Sequence, residues 1–150
     1  MRYLVGVGNY SMFDDSIGIR VIEYIEERKL DQDFRAIDLS SNLLNIFSYL
    51  VPETEKILIV DAFKSDKNPG DFSFMRLDDV KTNKVYGNFS THEGDILKVL
   101  ELAKSAGYPI PFIELMGITP VEIKNEFGLS QALTDRLPEY VKTAIERIHI

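Results

Sequence analysis

Apolar positions along the chain switch repeatedly between two periods. Tyr3 to Val7 is a short apolar run bounded by Gly8, and from Ile17 to Arg28 the residues Ile17, Val21, Tyr24 and Ile25 recur at helical spacing. That pattern predicts a strand, a loop and a helix. Residues 34–39 (FRAIDL) alternate weakly, and Leu43, Leu44, Phe47 and Leu50 then mark one side of a helix that Ser40 or Ser41 can cap and Pro52 closes. The run KILIVDAF (56–63) is continuously apolar up to Asp61, as expected of a central strand buried on both faces. KSDKNPGD (64–71) is turn chemistry, and FSFMRL (72–77) alternates as an additional strand at the sheet edge. Residues 78–91 are polar without a period and deliver His92 to a helix start. Ile96, Val99, Leu100 and Ala103 predict that helix, with Gly107 ending it. PFIELMGI (111–118) reads as a strand. Leu133, Leu137, Val141, Ala144 and Ile148 mark a last helix, with Pro138 expected in or beside its first turn because proline breaks a helix interior.

Strands alternating with helices predict an α/β three-layer sandwich: a twisted, mostly parallel sheet of about five strands, built from right-handed crossovers, with helices on both faces. In such sheets ligands bind beyond the carboxyl ends of the strands. The chain, 150 residues without repeats or an interdomain linker, reads as one domain over 1–150.

Composition narrows the function classes. With 24 acidic against 17 basic residues the formal net charge is −7 and no basic patch is segregated, which argues against nucleic acid as a partner. No apolar run approaches the roughly 20 residues that cross a bilayer, and the first residues lack the regions of a signal peptide. The expectation is a cytoplasmic protein without membrane insertion. The absence of cysteine removes disulfides, thiolate metal sites and a cysteine nucleophile, so any metal must be held by oxygen and imidazole.

Candidate chemistry begins in the first loop. Gly6 and Gly8 match the start of a dinucleotide fingerprint, but Ser11 stands at its third glycine, and Asp14 and Asp15 sit where a pyrophosphate would be repelled. Nucleotide binding is demoted on that ground. A tight turn accounts for the glycines equally well, and one aspartate can cap a helix while its neighbour faces the crevice. Asp61 ends a central strand, where a buried carboxylate needs a partner, a hydrogen-bond set or a metal. Of the two histidines, His149 is penultimate and expected to fray, and His92 at a loop-to-helix junction suits a surface or capping role as readily as a functional one.

The stretch GVGNYSMFDDSIGIRVIEYIE resembles the N-terminal signature of the hydrogenase maturation proteases, with Gly6, Gly8, Asn9, Asp14, Asp15 and Gly18 at the signature positions. The likeness continues through ILIVDAFKSDKNPGDF, STHEGDILKVLELA and ELMGITPVEIKNEFGLS, in the family's order over nearly the whole chain. The resemblance implies an endopeptidase that removes the C-terminal extension of a nickel-iron hydrogenase large-subunit precursor after nickel insertion. It implies that Asp15, Asp61 and His92 contact the nickel, which arrives with the substrate, and that the protease has no permanent cofactor. Asp38 and Asp14 are the candidate general bases, Asp38 first because Asp14 can be occupied in capping. One departure stands out: the family's D-x-G-T turn reads Asp38-Leu39-Ser40-Ser41 here. That change motivates a rival reading, a non-catalytic relative that docks on the precursor through metal or protein contacts. A small nucleotide-binding domain is the lesser rival.

Overall fold

The computed structural model describes residues 1–40, 42–77, 79 and 91–150; of residues 91–95 it describes the backbone alone. Ser41 and nearly all of the predicted irregular stretch 78–91 lie outside the described residues.

Among the described residues five strands form one sheet: β1 (Arg2–Gly6), β2 (Arg35–Asp38), β3 (Lys56–Ala62), β4 (Phe72–Arg76) and β5 (Phe112–Ile118), in the order β2-β1-β3-β5-β4. All pairings are parallel except β4 with β5, so the additional strand lies at the sheet edge, as its alternation predicts, and the structure adds that it runs antiparallel. Among the described residues three α-helices cover the sheet: α1 (Ile17–Glu27), α2 (Thr91–Ser105) and α3 (Gln131–Ile148).

Strand alternation divides the core in two. Leu4, Leu58, Val60, Met116 and Ile118 pack against Ile17, Val21, Ile22 and Ile25 of α1 and Leu133, Val141, Ala144 and Ile148 of α3. Val5, Ile37, Ile57, Ile59 and Leu115 pack the other way, against Ile96, Leu97, Leu100 and Ala103 of α2 and Ile46 and Leu50 of a short helical segment. β3 is buried along its whole length, which explains its unbroken apolar run.

Three local expectations change. Residues Leu43–Tyr49 form a 3-10 helix whose cap is Asn42, its Oδ1 accepting from Leu44 N at 3.0 Å, in place of Ser40 or Ser41. Helix α3 runs through Pro138. Proline removes one backbone donor there, and the apolar side chains that α3 buries on both sides of it hold the helix together. His149 is tied down: Nε2 lies 2.8 Å from Asp33 Oδ1 and Nδ1 lies 2.7 Å from the Ile145 carbonyl, with the ring edge-on to Phe34.

Candidate active site

The chain leaves β1 for β2 on one side and β3 for β4, beyond β5, on the other, so the loops after β1 and β3 part at a topological switch point, the place beyond the strand ends where open α/β sheets form their ligand crevice. Two of the predicted nickel-contacting residues stand there. Gly8 lies between them. At φ 146° a Cβ on Gly8 would collide with the backbone carbonyl of Asp15 and stand 3.6 Å from Asp61 Oδ1, so a bare backbone lets the loop pass between the two acids.

The turn Phe13–Ser16 is a 3-10 segment, in which successive side chains diverge by about 120°. Asp15 turns back toward the loop, and its Oδ2 accepts from Asn9 N at 3.0 Å. Its Oδ1 is buried and accepts no hydrogen bond among the described residues. A carboxylate oxygen in that state costs on the order of 1–3 kcal/mol, and a cation would relieve it. Asp61 is buried too, and its Oδ1 accepts from Ala62 N at 2.7 Å.

Its neighbours Val60 and Ala62 belong to the core under α1 and α3, whereas Ile59 and Phe63 belong to the core under α2, so Asp61 projects to the α2 face. Helix α2 ends just before β5 begins, and its first turn therefore lies toward the opposite edge of the sheet, carrying the backbone of His92 to the carboxyl ends on that same face. The His92 side chain is outside the described residues. Among the described residues no three His, Asp or Glu gather into a complete metal set. Asp15 and Asp61 make two donors.

Both candidate bases are displaced from that crevice. Asp14 is fully buried, and its carboxylate accepts from Val121 N at 2.9 Å, Glu122 N at 3.2 Å and Ser130 N at 2.8 Å. It caps neither the turn nor α1; it is spent on backbone amides more than a hundred residues away. Asp38 is exposed at the end of β2, with Oδ1 accepting from Ser40 N at 2.8 Å. Ile37 and Leu39 face the α2 layer, so Asp38 projects to the α1 face, opposite Asp61 and two strands from β3. Its charge is felt there: burial first, and then Asp38, push the Glu26 carboxyl of α1 up. Strand alternation thus removes Asp38 from the Asp15–Asp61 crevice.

The family model described as hydrogenase maturation protease matches residues 19–147. The chain belongs to the hydrogenase maturation protease family. Hydrogenase 2 maturation protease of Escherichia coli (strain K12) is 28% identical over 154 residues, spanning 99% of this chain and 88% of its own length. The hydrogenase expression/formation protein HupD of Rhodobacter capsulatus is 26% identical over 147 residues, spanning 97% and 70%. In fold, the solved NiFe hydrogenase maturation protease HybD from Thermococcus kodakarensis agrees with a TM-score of 0.80 at 22% identity over 99% of each chain.

As a member of this family the protein is a maturation endopeptidase, a hydrolase of peptide bonds. Within the maturation protease, Asn9 has a part that motif reading left open. Besides donating its N–H to Asp15, it accepts at Oδ1 from Ser11 N and Ser11 Oγ and so shapes the loop. Ser130 both caps α3 and gives its N–H to Asp14. Serine three residues before Leu133 was a legible cap signal, but its pairing with Asp14 was not, because only the fold brings them together. With Asn9 N–H committed to a carboxylate, the glycine loop is no phosphate cradle. Among the described residues no helix is long and apolar enough to cross a membrane.

Proposed function

We propose that this maturation endopeptidase removes the C-terminal extension of a nickel-iron hydrogenase large-subunit precursor in the cytoplasm, and recognises its substrate by the nickel already inserted there. The observation that carries the reading is the buried, unbonded Oδ1 of Asp15 beside Gly8 and Asp61 at the switch point. Oxygen donors with an imidazole suit a borderline divalent ion such as nickel. Asp15, Asp61 and His92 are the contacts, so the ion is part of the substrate and no permanent cofactor is required.

Bound nickel can polarise the scissile carbonyl and acidify a water. The protein's own residues hold the ion in register with the tail. Asp15 is oriented by the Asn9 N–H and Asp61 by the Ala62 N–H, so both acids present fixed oxygens. Asp38, exposed on the opposite face of the sheet, is not assigned to the water.

The test is tail removal from nickel-loaded precursor, followed by mass spectrometry, for the wild type, Asp61→Ala and His92→Ala. The expected result is cleavage by the wild type and a loss of at least about a hundredfold in both variants, the scale set by misplacing a reacting group. Wild-type binding without cleavage would favour the non-catalytic docking reading. Cleavage unchanged in both variants would remove nickel recognition by these residues.

A further inference from the structure

Asp14 is fully buried and accepts three backbone N–H groups, which commits both of its oxygens to the fold. Charged acceptors make hydrogen bonds roughly twice as strong as neutral ones, so this is the firmest tie between the first loop and the segment 121–130. Lesser ties surround it. Phe13 N donates to Glu126 O at 2.8 Å, the Lys124 ammonium lies 4.4 Å from the centre of the Phe13 ring, and Tyr10 meets Phe127 at 6.2 Å between rings.

The turn is bent to allow it. Phe13 holds φ 53°, a left-handed conformation that costs a non-glycine residue about 1–2 kcal/mol and is kept where its surroundings dictate it. That bend sends Asp14 to the 121–130 segment and leaves Asp15 directed at Asn9.

We propose that Asp14 is a positioning residue: a buried latch that clamps the 121–130 segment onto the first turn and thereby holds Asp15 in the direction from which it meets the substrate's nickel. The role of Asp15 in this inference rests on the proposed nickel recognition; the latch itself does not. In it the paired aspartates divide the work, the first anchoring through amides and the second facing the crevice.

The test is amide hydrogen exchange resolved by residue, in the free protein, for the wild type and Asp14→Asn, together with tail cleavage. In the wild type the amides of Val121, Glu122, Ser130 and Asn9 are protected. In Asp14→Asn, where an NH2 group must face backbone donors, all four exchange at least about tenfold faster, as expected for losing a buried acceptor, and cleavage falls by a similar factor. Asn9 is the decisive amide, since its N–H is bonded to Asp15 and so reports on the position of that carboxylate. A Glu114→Gln variant, destabilised at the far edge of the sheet, leaves Asn9 protection unchanged and separates positioning from general loosening.

Unprotected amides at 121, 122 and 130 in the wild type overturn the latch. Protection of Asn9 that survives in Asp14→Asn, or cleavage that stays at the wild-type level, overturns the positioning of Asp15. If Asp14→Asn does not fold, Val121→Pro removes one donor at an exposed position. Faster exchange at Ser130 and Asn9 is then expected, and no change at either overturns the proposal. A wild type that never cleaves precursor counts against the proposed function, while the exchange results still decide the latch.

Discussion

Replacing Gly18 with alanine should push α1 off the sheet and part Asp15 from Asp61. Gly18 lies in the first turn of α1, where the helix meets the backbones of β1 and β3. A Cβ there would stand 2.6 Å from the Val7 carbonyl oxygen and closer still to that of Val60, against the 3.4 Å at which ordinary contact begins. Both obstacles are backbone oxygens of the sheet, so no side chain can swing aside. The start of the helix must withdraw by on the order of 1 Å, a misplacement that costs about a hundredfold in rate when it reaches a reacting centre. The 3-10 turn carrying Asp15 runs straight into α1 and moves with it.

Stability should suffer less. Overpacking costs about 1–3 kcal/mol, partly offset by the up to ~1 kcal/mol by which alanine exceeds glycine in a helix. For a chain of this size the melting temperature should drop by a few degrees at about 2–4 °C per kcal/mol. The assay is tail cleavage at a temperature where the variant is folded, paired with thermal unfolding. Gly107→Ala is the control: its φ of 88° strains an alanine, nothing lies within 4 Å of the new Cβ, and it should lose stability without losing cleavage. Cleavage by Gly18→Ala within threefold of the wild type, about 0.7 kcal/mol in transition-state terms, would refute the claim that the helix-to-sheet contact sets the Asp15–Asp61 geometry.

Further outcomes follow from charges away from the crevice. Glu114 is buried and takes a bidentate contact from Arg147 at 2.8 and 2.6 Å and an ion pair from the equally buried Lys56 at 3.3 Å. Glu114→Ala leaves the buried Lys56 ammonium without its counter-charge, with the Arg147 carbonyl at 2.7 Å as its remaining acceptor, and should cost about 3–5 kcal/mol by urea unfolding. The Arg147 hydrogen bonds, and after them Lys56, hold the Glu114 carboxyl below its ordinary range. Its contribution is therefore present above the unfolded value and lost as pH falls through the lower folded one, so acid unfolding should begin at higher pH in Glu114→Ala than the charge count alone explains. The bond to Asp33, and then the Ile145 carbonyl, raise the pKa of His149. That stabilisation is complete below about 6.5 and disappears as pH rises through the raised folded value. An NMR titration should show the His149 pKa falling in Asp33→Asn, with a stability change under about 1 kcal/mol because both groups are exposed to solvent. Asp38→Asn should reduce tail cleavage less than about tenfold, far short of Asp61→Ala, if its place on the opposite face removes it from the water; an equal loss in the two would restore it as a base.

Among the described residues hydrophobic periodicity was enough for the order of the strands and α-helices, because burial on a strand or a helix face leaves its period in the sequence whatever the partner. The unbroken run at 57–60 announced a central strand, and the alternation at 72–77 announced an edge. The family signature at Gly6, Gly8, Asn9, Asp14, Asp15 and Gly18 was equally legible, being a matter of residue identity and spacing. Residue spacing left open which of two adjacent aspartates faces the crevice, and the family signature implied Asp15 without giving the reason. That choice depends on the left-handed Phe13 and on amides from residues 121, 122 and 130, which the fold alone brings to Asp14. The separation of Asp38 from Asp61 is likewise tertiary: both stand at the carboxyl ends of their strands, but the parallel register sets Asp38 level with Val60, one residue before Asp61, so their side chains fall on opposite faces. Pro138 inside α3 and the tethered His149 follow the same rule, since burial against the sheet and a long-range ion pair outweighed the local preferences of proline and of a chain end. Local chemistry proposed the residues of this site, and long-range contacts assigned their directions.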